Sequence, residues 1–211
     1  MRTISITVAL IILSSLCYGG ETFRYSVENA EHFAERYKRD GEEIAFNVIE
    51  KNWNGRNSIV AFYKKTLPLA ANASSPLKSS SIIYGRVYLQ TTDYNYREIE
   101  IDAFEPSDAE PQITDIGFLN ADPDRENELI VVVSWEQNTE ALKGALYRVF
   151  VYDDVKDSAT RKLSYIRNMS DRFGSGCDGR ARDGSRSKAK FKTINDIRLE
   201  LKRLKFRQFY D

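Results

Sequence analysis

The spacing of apolar positions changes along this 211-residue chain, and the changes predict different elements. Over residues 27–37 the apolar side chains recur at helical spacing, with Ser26 as a suitable N-cap and Gly41 as a terminator. From Ile44 onward the period becomes two, which is typical of strands with one face in a core. The chain therefore begins with a predicted helix and continues as a β-rich body.

Strand patterns follow one another up to residue 153. Residues 97–103 alternate in character, which favours an antiparallel strand with one solvated face. One face carries Ile99, Ile101 and Ala103, and the other carries Glu98, Glu100 and Asp102. Residues 129–133 are apolar at every position, so we expect a central strand that is covered on both faces. Five more strands are predicted, at residues 44–48, 58–63, 82–90, 112–119 and 146–153. Residues 67–81 are rich in Ala, Ser, Asn and Pro and read as a loop.

The last fifth of the chain has a different character. Residues 174–187 are rich in Gly, Ser, Arg and Asp and almost free of apolar side chains, which predicts a flexible linker. A helix is predicted from Ile194 to about residue 206, because Thr193 and Asp196 fit a capping box ahead of an apolar stripe. The predicted fold class is α+β: an N-terminal helix, an antiparallel sheet of about seven strands, a flexible basic linker and a C-terminal helix.

The first residues predict export. Arg2 supplies a positive charge, residues 4–16 form a mostly apolar run, and small residues precede a cleavage point after Gly19, as in a secretory signal peptide. No later run is apolar enough to span a bilayer, so we expect a periplasmic or secreted protein without a transmembrane segment in its mature chain. The expected organisation is a signal peptide at 1–19, an α+β globular domain at 20–170, a flexible basic linker at 171–192 and a helix at 193–211.

Charge and cysteine use refine this picture. Residues 21–160 carry 15 basic and 25 acidic side chains, whereas residues 161–211 carry 15 basic and 6 acidic side chains. The acidic body and basic tail are therefore expected to attract each other or to bind separate partners. Cys177 is the one cysteine after the signal, so no internal disulfide is expected in the mature chain.

One acidic segment has the spacing of a metal site. Asn120, Asp122 and Asp124 alternate with other residues, and Glu128 follows directly before the central strand. Calcium takes six to eight oxygen ligands, and a tight loop of this kind can supply most of them. The segment resembles the calcium loop of FG-GAP or VCBS-type repeats over residues 113–133, although Arg125 occupies the position of that family's glycine. The resemblance implies a calcium ion held by these four side chains.

A second interpretation of the same segment stays open. Asp and Asn side chains in a turn often accept hydrogen bonds from their own backbone. The sequence is therefore also compatible with an acidic hairpin turn that binds no ion.

Other catalytic or binding chemistry has weaker support in the sequence. His32 is the sole histidine, which excludes His-based triads and sites with several histidines. Glu98 and Glu100 form a carboxylate pair, but their spacing places both on a solvated strand face. No Gly-rich phosphate loop follows a strand, and the basic tail lacks interleaved aromatic side chains, so no nucleic-acid partner is expected.

These patterns favour an exported, non-catalytic binding protein of the bacterial envelope, of inhibitor or immunity type, with a protein as its partner. The alternative is an envelope hydrolase or carbohydrate-active enzyme that uses a carboxylate pair. A third possibility is a structural envelope protein whose basic tail contacts anionic lipid or polymer. Four tyrosines around one predicted hairpin are candidates for partner recognition or for a core rim: Tyr84, Tyr88, Tyr94 and Tyr96.

Overall fold

A computed structural model describes residues 21–67, 80–139 and 142–208. The predicted signal peptide at 1–19 and most of the predicted loop at 67–81 lie outside the described residues. The elements follow in this order: β1 (Glu21–Phe23), α1 (Ala30–Arg36), β2 (Glu42–Ile44), β3 (Ile49–Trp53), β4 (Arg56–Leu67), β5 (Ser80–Gln90), β6 (Asn95–Phe104), β7 (Pro111–Leu119), β8 (Glu128–Asn138), β9 (Leu142–Tyr152), α2 (Arg167–Phe173), β10 (Ser175–Ala181), β11 (Arg186–Ser187) and α3 (Ile194–Gln208).

The strands form two antiparallel sheets. In the six-stranded sheet the order is β1-β6-β5-β4-β2, and β3 pairs with another part of the long strand β4. In the five-stranded sheet the order is β11-β10-β9-β8-β7. Buried side chains from both sheets share one apolar core, with Phe62 and Ile101 from the first sheet and Val131 from the second. The two sheets therefore pack face to face as a sandwich.

The α+β prediction with one sheet of about seven strands is wrong. The fold is mostly β, with about half of the residues that the structure describes in strands and 15% in helices. Alternating apolar positions show which face of a strand is buried, but they do not show which strands share a sheet. Here β4 to β6 and β7 to β9 form separate antiparallel sets, and each set buries one face against the other.

The helices pack on the outer faces of the sandwich. In α1, Phe33 packs against Tyr88 of the first sheet, with ring centroids 5.1 Å apart. This helix begins later than predicted, because Asn29 rather than Ser26 is its N-cap and accepts a hydrogen bond from the His32 N–H. On the second sheet, α2 and α3 cover the face that carries Val132.

The segment predicted as a flexible linker contains β10 and β11, which extend the second sheet. Its glycines allow two backbones to approach closely. A Cβ on Gly179 would lie 2.4 Å from the Lys143 carbonyl oxygen, and a Cβ on Gly144 would lie 2.2 Å from that of Asp178. The low apolar content of this segment therefore reflects two strands at the end of the sheet that are built on close backbone contacts, and not a linker.

α3 is anchored at its first turn. The Thr193 hydroxyl accepts from the Asp196 N–H at 3.2 Å, and the Asp196 carboxylate accepts from the Thr193 N–H at 3.0 Å. Ile194 fills the space above Gly117, where a Cβ would lie 2.5 Å from the isoleucine side chain. No helix within the described ranges has the length and apolar character needed to cross a membrane.

Candidate metal centre

The acidic loop joins β7 to β8 and is held by its own side chains. The Asn120 amide nitrogen donates to the carbonyl oxygens of Asp124 at 2.5 Å and Glu126 at 2.9 Å. One Asp122 oxygen accepts from the Asp124 N–H, and one Asp124 oxygen accepts from the Glu126 N–H. These local bonds curl the loop, and the second Asp124 oxygen accepts from the Lys156 ammonium at 2.9 Å.

The first sheet fixes the outer side of this loop. Trp53 is the last residue of β3, in the hairpin that joins β3 to β4. Its indole N–H donates to the Asn127 carbonyl oxygen at 2.5 Å. A cleft of about 400 Å³ opens between this hairpin and the acidic loop, with Glu126, Asp154 and Lys156 in its lining.

Four carboxyl groups converge at the end of the second sheet. Asp122, Asp124, Glu128 and Asp153 each offer an oxygen, and these atoms all lie within 4.8 Å of one another. The sheet register explains the meeting: Leu129 pairs with Tyr152, so the first residue of β8 lies beside the residue that follows β9. This acidic cluster could hold a metal ion.

Glu128 is the most unusual member of the cluster. Its side chain is wholly buried, and one carboxylate oxygen accepts from the Ala121 N–H. The other oxygen, Oε1, is buried without a hydrogen-bond partner. Burial, assisted by the nearby Asp122 and Asp124 charges, raises the pKa of Glu128 to about 7. A buried carboxylate oxygen without a donor is costly, and a cation beside it would remove that cost.

A lysine reaches the solvent side of the cluster. The Lys156 ammonium lies 2.9 Å from Asp124, 3.2 Å from Asp153 and 2.5 Å from Asp154. Its hydrogen bonds lower the pKa of Asp124, whereas burial raises the pKa of Asp122. Three of the five carboxyl groups, counting Asp154, therefore share this one ammonium, and the five together carry more negative than positive charge.

Three of the four residues predicted from the sequence meet here, namely Asp122, Asp124 and Glu128. Asn120 lies in the same loop, where its amide nitrogen braces the backbone. Sequence reasoning missed Asp153, and it also missed Lys156. The sequence did carry a signal for Asp153. Two consecutive strands with a short connection are expected to pair antiparallel, and this pairing brings the end of β9 beside the start of β8.

Arg125 does not disturb the loop. Asn54 is the one residue other than glycine with a positive φ among those the structure describes. Arg125 therefore has an ordinary backbone conformation, and this loop makes its turn without the glycine of the FG-GAP pattern.

The other candidate residues lie elsewhere in the sandwich. Glu98 pairs with Arg39 at 2.7 Å, and Glu100 is exposed on the same strand. Tyr88 and Tyr96 are buried beneath α1, whereas Tyr94 is about half exposed. His32 is exposed on α1.

Comparison of the chain with protein-family models, with curated proteins and with solved structures gave no match.

Proposed function

We propose that this chain is an exported, non-catalytic binding protein of the bacterial envelope, of inhibitor or immunity type, whose acidic loop is fixed by one calcium ion. The observation that carries the calcium part of the proposal is the buried Glu128 oxygen without a donor, within a cluster of four carboxyl groups. Asp122, Asp124, Glu128 and Asp153 would hold the ion. The ion would join the loop before β8 to the end of β9.

The chemistry of the donors supports calcium over other metals. All four side chains offer carboxylate oxygens, which suit hard cations, whereas zinc prefers nitrogen and sulfur ligands. Magnesium demands near-ideal octahedral geometry, but calcium accepts irregular sets of oxygen ligands completed by water. An irregular cluster built from a loop, a strand start and a strand end fits calcium better.

The hydrolase alternative has less support at this site. A carboxyl group with a pKa of about 7 would suit a general acid. Glu128 is wholly buried, however, so a substrate cannot approach its carboxyl group. A single cation is much smaller than a substrate and could reach the same carboxyl group between the partly exposed aspartates.

An exposed aromatic patch supports the binding of a protein partner. Phe23, Tyr25 and Tyr94 are each about half exposed, and the Phe23 ring lies 5.5 Å from that of Tyr25 and 6.0 Å from that of Tyr94. The Arg36 guanidinium stacks on Tyr25 at 4.6 Å. Aromatic and arginine side chains together are typical of the energetic centre of protein interfaces.

Thermal unfolding with and without millimolar calcium tests the ion. Calcium should raise the melting temperature because it binds the native state alone, and Asp124→Ala should abolish the rise. Asp108→Asn changes an exposed aspartate outside the cluster and should keep it. No rise in the wild-type protein at saturating calcium would contradict the calcium part of the proposal.

Affinity capture from envelope extract tests the partner. The purified chain should retain one protein in stoichiometric amount, and the double variant Phe23→Ser/Tyr94→Ser should lose it. Leu199→Ser changes an exposed apolar side chain on α3 and serves as the control. Equal capture by the aromatic variant would show that this patch is not the binding surface.

A further inference from the structure

Three positive side chains form one row across the second sheet. Lys143 on β9 is the register partner of Arg180 on β10, and Arg180 is the partner of Arg186 on β11. Residues directly opposite each other in antiparallel strands project from the same face, and neighbouring strands are about 4.8 Å apart. Lys143, Arg180 and Arg186, here called the cationic row, therefore stand side by side, and all three are exposed.

The nearest carboxylates are engaged elsewhere. Asp178 lies two residues before Arg180 on the same face of β10, and its carboxylate pairs with the Lys192 ammonium. Asp183, in the turn from β10 to β11, accepts from the Ser185 N–H at 2.8 Å and from the Ser185 hydroxyl at 2.6 Å. Across the described part of the chain, no carboxylate forms an ion pair with a member of the cationic row.

Such a row costs stability. Like charges directly opposite each other in adjacent strands repel, and here the repulsion acts across two neighbouring strand pairs. The surrounding sequence adds to the positive potential, since residues 174–192 carry six basic and two acidic side chains. The row therefore lies at the β11 end of the sheet, in a stretch of chain with more basic than acidic side chains.

We infer that the cationic row binds an acidic segment of a partner protein, with carboxylates of that segment placed against the three cations. Charge complementarity supports this occupant. Carboxylates of a partner would supply the negative charge that no described carboxylate of this chain places against the row. The surface is separate from the aromatic patch, which lies beside β1 and β6 in the other sheet.

The surroundings of the row favour a protein over nucleic acid or membrane. Single-stranded nucleic acid is held by aromatic side chains that stack on bases, and membrane surfaces are held by apolar side chains that insert. In the described chain, the large apolar side chains that are well exposed lie around β1, α1 and the β5–β6 turn, with Leu199 on α3. An acidic segment needs neither kind of side chain, only cations in a fixed row.

Fluorescence anisotropy with labelled poly-L-glutamate and the purified chain tests the inference. Binding should weaken with added salt, and the triple variant Lys143→Gln/Arg180→Gln/Arg186→Gln should bind about tenfold more weakly, because three exposed ion pairs are lost. The control triple variant Arg125→Gln/Arg161→Gln/Arg172→Gln removes three exposed cations elsewhere and should bind like the wild type.

A second measurement separates lost binding from lost folding. Arg180→Gln removes repulsion at the middle of the row, so at low ionic strength its melting temperature should equal or exceed that of the wild-type chain. Equal poly-L-glutamate affinity for the wild-type chain and the row variant would overturn the inference. Tighter binding of single-stranded DNA or of phosphatidylserine vesicles than of poly-L-glutamate would overturn it as well.

Discussion

The side-chain amide of Asn54 binds both backbone groups of Asn127. Its oxygen accepts from the Asn127 N–H at 2.9 Å, and its nitrogen donates to the Asn127 carbonyl oxygen at 3.1 Å. Asn54 lies in the β3–β4 turn with a φ of 49°, and Asn127 directly precedes Glu128. A turn of the first sheet thus holds the acidic loop of the second sheet in position beside the candidate ligands.

Removing this link should loosen the acidic loop. Asn54→Gly keeps the positive φ without strain but deletes both hydrogen bonds, so unfolding in urea should show a loss of about 1–2 kcal/mol. Asn54→Ala should lose roughly 1 kcal/mol more, because alanine disfavours the left-handed conformation. A glycine variant as stable as the wild type would show that the link does not hold the loop.

The pKa of Glu128 predicts a pH dependence of stability without calcium. The folded-state pKa is raised from 4.5 to about 7, so between these values the native state keeps a proton that the unfolded state has lost. Stability should therefore fall as pH rises through this window, by at most about 3 kcal/mol, and stay reduced above it. Urea unfolding at pH 5 and pH 8 with a chelator present measures the effect.

The control for that experiment is Glu128→Gln, which has the same shape but does not titrate. The difference in stability between pH 5 and pH 8 should be smaller in this variant than in the wild type. Identical pH dependence in the two proteins would place the titration on other groups.

Lys156 should compete with a bound cation for Asp124 and Asp153. Lys156→Met removes the ammonium and keeps much of the stem, so calcium affinity should rise about fivefold, equivalent to about 1 kcal/mol. Lys162→Met is a matched control, because Lys162 pairs with Asp102 away from the cluster. Weaker calcium binding by the Lys156 variant would contradict competition and indicate that the lysine organises the site.

Local sequence patterns predicted individual strands, whereas the division of those strands into two sheets depends on tertiary pairing. The apolar run at residues 129–133 lies in β8 and is buried on both faces, because Val131 contributes to the core between the sheets and Val132 contacts the helices. The strand is interior, between β7 and β9, although the middle strand of the five is β9. The alternation at residues 97–103 lies within β6. Neither pattern carries information on the number of sheets.

The candidate metal site was also predictable only in part from the sequence. Asp122, Asp124 and Glu128 are close in sequence, so their spacing alone identified them as a possible ligand set. Asp153 enters through the pairing of β8 with β9, 25 residues after Glu128, and its role depends on strand register. Burial of Glu128 also depends on packing, so its raised pKa could not be read from the sequence.

The glycines of β10 should resist substitution if they serve close backbone contact. Gly179→Ala would place a methyl group 2.4 Å from the Lys143 carbonyl oxygen and should cost about 2 kcal/mol or more, with faster tryptic cleavage after Arg182. Gly55→Ala is a milder control, since open space surrounds it and only its positive φ of 83° opposes alanine. Equal stability of the Gly179 variant and the wild type would support a flexible segment instead.

Calcium titration of the chelator-treated chain by isothermal calorimetry tests the central claim most directly. We predict one calcium ion per chain, with no detectable binding by Asp153→Asn and unchanged binding by Asp108→Asn. The Asp153 variant is decisive because only the folded register brings this residue to the acidic loop. Absence of calcium binding by the wild-type chain at millimolar concentration, or equal binding by Asp153→Asn, would contradict the proposed site.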